Sequence, residues 1–87
     1  MQLLVTFQTE DRAAFTAAYT AGAEGRADAG LTQLQLWDDV DMPARVLALY
    51  TVNSRKKADD WLAERRAGLG MAGATIAFAT YLTPAGA

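Results

Sequence analysis

The stretch that most constrains this chain is Arg45–Val52, Arg-Val-Leu-Ala-Leu-Tyr-Thr-Val. From Val46 to Tyr50 every residue is apolar. A strand with one wet face alternates apolar and polar residues, so this one is read as a strand buried on both faces. In a chain of 87 residues that demand is severe. A domain of this length buries only roughly 60–65 % of its unfolded surface. Yet 52 % of the chain is apolar, a surplus that points to a partner surface.

The rest of the chain supplies three more strands and two helices. Gln2–Gln8 reads as strand one, with Leu3, Val5 and Phe7 on one face and Leu4, Thr6 and Gln8 on the other. Thr9 is placed to cap a helix whose first turn holds Glu10 and Asp11. On it Phe15, Ala18, Tyr19 and Gly22 share a face, and Gly22 and Gly25 predict that it frays or ends between Thr20 and Ala29. Leu31–Trp37 alternates as strand two, with Leu34 and Leu36 opposite Gln33, Gln35 and Trp37. The acidic, proline-bearing Asp38–Pro43 is a hairpin loop into strand three. Asn53 and Ser54 offer an N-cap to a second helix carrying Ala58, Trp61, Leu62 and Leu69 close to one face, and Gly68 fits its C-cap. Gly70–Gly73 is a flexible connection, Thr75–Leu82 is strand four, and Thr83–Ala87 is a tail.

This order, β-α-β-β-α-β over a single domain of residues 1–87, predicts an α+β, ferredoxin-like fold. A four-stranded antiparallel sheet has strands one and three at its centre and both helices on one face. The alternation assigns Leu47, Leu49, Phe78 and the polar Thr51 and Thr80 to the helix-covered face. Trp37, Ala48, Tyr50, Ala77 and Tyr81 fall on the other, which no further element of the chain can cover. An apolar face of that size left in water marks an interaction site. A second copy of the sheet is the simplest cover, so a homodimer is expected through those five residues.

A sheet-to-sheet pair of ferredoxin-like protomers resembles the dimeric α+β barrel superfamily, in its antibiotic-biosynthesis-monooxygenase-like and stress-responsive branches. The resemblance spans nearly the whole chain. It is carried by Ala29-Gly30-Leu31 entering strand two, Trp37–Pro43 leaving it, and Val46–Val52 followed by a helix with Ala58 and Trp61. It implies a homodimer with a cavity between sheet and helices in each protomer. Many members bind small aromatic or polyketide-like molecules there, and some oxidise or rearrange them without metal or flavin. Others have no known activity. Cofactor-independent members use Asn and Trp near the start of the second helix. Here Asn53 has a comparable place while Trp61 lies two turns on, so neither receives a catalytic role.

The candidate ligand site is Tyr19, Thr51, Asn53 and Trp61, aromatics with polar neighbours between helices and sheet. Each has a plain alternative: Asn53 as a cap, the aromatics as core, Thr51 as an ordinary strand residue. Arg55-Lys56-Lys57 places three cations in a first helical turn, where the dipole disfavours each by about 0.3–1 kcal/mol. That turn is read as a solvated surface, a contact to the acidic loop of a partner chain, or a hold for an anionic group.

Composition narrows the classes. A net charge of −2 argues against nucleic acid and against a basic membrane-surface helix. No apolar run approaches the ~20 residues of a membrane span. The sequence has no cysteine and no histidine, which removes thiolate chemistry and the commonest general base and metal ligand, so no metal and no cofactor is expected. The N-terminus lacks a signal-peptide pattern, which fits a cytoplasmic chain. The leading expectation is a small-molecule-binding dimeric barrel protein, as a binder or a cofactor-independent enzyme for an aromatic or polyketide-like compound. The alternative is a non-catalytic structural or interaction module that homodimerises through its sheet. An internal cavity separates the two.

Overall fold

Leu3, Val5 and Phe7 meet Tyr50, Ala48 and Val46 across the centre of the sheet, and all six are buried. Those residues belong to β1 (Gln2–Thr9) and β3 (Arg45–Val52) of the computed structural model, which describes residues 1–86. Between them lie α1 (Arg12–Ala21), α2 (Ala23–Asp28) and β2 (Leu31–Asp38); after them come α3 (Arg55–Arg66) and β4 (Ala74–Leu82). The strands form one antiparallel sheet in the order β2-β3-β1-β4. The result is a small α+β fold with three helices, compatible with a ferredoxin-like arrangement. Ala87, the end of the expected tail, lies outside the described residues.

β3 occupies the predicted span, but its faces are reversed. Opposed residues of an antiparallel pair point to the same side. Pairing with Leu3, Val5 and Phe7 therefore turns Val46, Ala48 and Tyr50 under the helices, and Leu47, Leu49 and Thr51 onto the open side. Tyr50 and Ala48 are both 0 % exposed, so neither belongs to the surface expected to pair two chains. A strand apolar at every central position carries no pattern that tells its faces apart.

Two register shifts correct the edge strands. Thr6 pairs with Phe78 while Phe7 pairs with Ile76, which leaves Ala77 as the extra residue of a bulge. The bulge inverts the alternation along β4. Ile76, Ala79 and Tyr81 lie on the helix side against the core, and Phe78 and Leu82 stand on the open side. Tyr81 therefore leaves the expected pairing surface, and Ala77 is exposed at the irregularity. A second shift at Leu34 turns Gln33 toward Tyr50, under the helices, and keeps Trp37 opposite Leu47 on the open face. Of the five residues expected to pair two chains, Trp37 alone has that place in the regular register.

The helix starts follow capping chemistry. Asp11, not Thr9, caps α1, with its carboxylate accepting from the Ala14 amide at 3.0 Å. Thr9 instead ends β1, its hydroxyl donating to the Ala44 carbonyl at 2.8 Å. The expected break falls at Gly22, whose amide closes α1 on Ala18 and whose carbonyl opens α2 by accepting from the Arg26 amide. Ser54 caps α3 through the Lys57 amide. At the other end Leu69 donates to Glu64 and Gly68 to Arg65, the paired bonds of a Schellman stop. The loop to β4 is drawn onto the start of α1. The Glu10 and Asp11 amides both donate to the Gly73 carbonyl, and a Cβ at Gly73 would lie 2.8 Å from Asp11. That close approach, at a φ of 62°, requires glycine.

Candidate functional site

Phe15, Ala18 and Tyr19 recur at helical spacing on α1 and face Phe7 of β1. Trp61 and Arg65, one turn apart on α3, form the opposite wall, and Gly70-Met71-Ala72 closes an end. Between them lies a cleft of about 390 Å³, at the low end of the roughly 300–1,000 Å³ usual for ligand sites. Its aromatic side is rigidly built. Phe7 lies 5.1 Å from Phe15 and 6.0 Å from Tyr19, and Phe15 lies 5.6 Å from Tyr19, centroid to centroid. These tilted and edge-on arrangements are the favoured ones.

A polar chain running from the exposed Gln33 to the buried Tyr50 supports one wall. The Tyr19 hydroxyl donates to Gln33 at 2.6 Å and lies 2.8 Å from the Tyr50 hydroxyl. With the Tyr19 proton directed to Gln33, Tyr50 is the donor of the second bond. Burial, with Tyr19 beside it, pushes the Tyr50 phenol far above its ordinary range and keeps it neutral. Trp61 stands edge-on to Tyr50 at 5.9 Å, and its indole N–H is buried without a hydrogen-bond partner among the described residues. An unmade buried bond costs about 1–3 kcal/mol.

Two guanidiniums complete the lining. Arg26 lies 3.8 Å over the Tyr19 ring and donates to the Tyr19 carbonyl at 2.6 Å. Arg65 lies 5.3 Å from the Trp61 ring and donates to the Leu69 carbonyl at 2.6 Å. Among the described residues, no carboxylate lines the cleft. Chemically it can stack a flat ring, donate hydrogen bonds and hold negative charge.

Of the four residues expected at a ligand site, the structure brings Tyr19 and Trp61 to this cleft. Thr51 is placed elsewhere, opposite Gln2 and Thr32 on the open face, because β3 is reversed. Asn53 is exposed beside Gly30, to whose carbonyl its amide donates, and does not line the cleft. Phe78, expected on the helix-covered face, is on the open face and 58 % exposed. The sequence reading missed Arg26 and Arg65. Arg26 lay in the segment expected to fray, and Arg65 looked like an ordinary cation at a helix C-terminus. The glycines just before Arg26, at positions 22 and 25, were the available signal.

The Arg55-Lys56-Lys57 turn has compensation that the sequence did not reveal. Arg55 lies 3.9 Å from Asp59 and 4.2 Å over the Tyr81 ring, and Lys56 lies 3.0 Å from Asp60. Tyr81 in turn donates to Asp59 at 2.5 Å. Burial and that bond push the Tyr81 phenol up to about 12. Among the described residues, no three His, Cys, Asp or Glu side chains gather as a metal-binding group, and no helix is long and apolar enough to cross a membrane.

No family model, no curated protein and no solved structure matches the chain.

Proposed function

We propose that the protein binds a small, flat aromatic molecule in the cleft between α1, α3 and the sheet. The observation that carries this reading is the cleft itself, about 390 Å³ walled by Phe7, Phe15, Tyr19 and Trp61. Catalysis, where it occurs, uses the ligand's own ionised group or the Tyr19 phenol, since the sequence has no histidine or cysteine and the cleft has no carboxylate. The test is a thermal-melt screen against two- and three-ring aromatics. A dose-dependent rise in melting temperature for a subset of the screen is expected. A flat response across the whole screen overturns the reading.

A second copy of the chain is the proposed partner, paired through the open sheet face. Leu4, Leu47, Leu49, Trp37, Phe78 and Leu82 form its apolar surface. The regular register adds glutamines and threonines, no acidic residue, and Arg45 at one corner bonded to Gln8. A face so nearly free of charge meets its own copy without like-charge repulsion. Sedimentation at micromolar concentration checks this: a dimer is expected, and a folded monomer contradicts it.

A further inference from the structure

We infer that the ligand of the cleft carries an anionic group, a carboxylate or an ionised hydroxyl, held by Arg26 and Arg65. This rests on the cleft being a ligand site. The chain as a whole is acidic, with net charge −2, yet both charged residues lining the cleft are arginines. Their carboxylate neighbours lie elsewhere. Arg26 makes no ion pair among the described residues. Arg65 reaches Glu64 only at 4.0 Å, and Glu64, Asp28 and Asp60 line a second depression that shares Trp61 and Arg65 with the cleft.

Both guanidiniums belong to the lining of the same cleft. The Arg65 Nη2 lies 3.7 Å from the position of a Cβ on Gly25, the residue next to Arg26. Glycines make room for both. A Cβ on Gly22 would stand 3.2 Å from the Arg26 Nη1, and one on Gly70 would stand 2.9 Å from the Arg65 Nη1. Each arginine has one hydrogen bond to a main-chain carbonyl, which orients the fork and leaves other N–H donors free. The Tyr19 and Trp61 rings lie beneath them, so an aromatic body and an anionic group would be bound side by side.

The experiment compares 2-naphthoate with its neutral isostere 2-naphthamide by calorimetric titration of the full chain. Naphthoate is expected to bind about ten-fold more tightly, the scale of a charge-assisted hydrogen bond. Its advantage should shrink in high salt, while amide binding stays level. Arg26→Gln and Arg65→Gln should each reduce the ratio of naphthoate to amide affinity. Equal affinity for the two compounds, at low salt and in the unmodified protein, overturns this inference and leaves the aromatic cleft standing. Failure of both compounds to bind removes the cleft reading with it. The salt comparison needs no variant, so a variant that fails to fold does not blunt the test.

Discussion

The two faces of the sheet are built from the same strands and have opposite fates. Under the helices, Leu3, Val5, Val46, Ala48 and Tyr50 are all 0 % exposed. On the other side Leu4, Leu47 and Leu49 are only half-buried, and Trp37 and Phe78 are 43 % and 58 % exposed. Neighbouring residues of β3 thus separate a finished core from an unfinished one. Covering side chains decide stability on one face, and solvent decides it on the other. The covered side leaves space for a cleft, whereas the bare side presents apolar surface.

The largest contrast should come from one charge placed on either side. Ala48→Glu buries an unpaired carboxylate beneath the helices and should unfold the chain, seen as loss of the circular-dichroism signal. Leu47→Glu, one residue away, should leave a folded protein that sediments as a monomer. A folded Ala48→Glu protein, or an unfolded Leu47→Glu protein, would break the assignment of faces.

Truncating aromatics sharpens the same contrast at smaller scale. Phe7→Ala removes the ring shared by Phe15 and Tyr19 and should cost about 3–5 kcal/mol in denaturant unfolding. Phe78→Ala, measured at a dilution where the chain is a monomer, should cost under about 1 kcal/mol.

Those faces were only half legible in the sequence. Alternation located β1, β2 and β4, and the unbroken apolar run located β3. What the run could not supply was its orientation, because both parities are apolar and only pairing with Leu3, Val5 and Phe7 chooses between them. The bulges at Leu34 and Ala77 likewise leave no composition signal, since an extra residue looks like any other. Helical spacing put Tyr19 and Trp61 between the helices and the sheet, but spacing alone does not separate a pocket residue from a core one. Arg26 and Arg65 gave no such signal, since their sharing one cleft depends on tertiary packing that brings α2 and α3 to the same cleft.

The smallest effect lies on the covered side, at high pH. The Tyr81 phenol is raised from 10.0 to about 12 by burial and by Asp59, so the folded state favours its neutral form. A raised folded value gives stability that is complete below the unfolded value and lost as pH rises through the folded one. Stability should therefore decline between pH 10 and 12, and Tyr81→Phe should flatten part of that decline. Tyr50, shifted in the same direction, adds to the slope. An unchanged slope in Tyr81→Phe would show that Tyr81 does not contribute.

Each face carries one tryptophan, Trp61 at the cleft and Trp37 on the open sheet, so one spectrum reports on both. The direct measurement is the pair of indole N–H cross-peaks of the nitrogen-15-labelled protein, assigned with Trp37→Phe. Adding 2-naphthoate should move the Trp61 peak saturably and leave Trp37 in place. Diluting the protein should move Trp37 and leave Trp61 in place. A naphthoate response confined to Trp37, with Trp61 silent throughout, would contradict a ligand site beneath the helices.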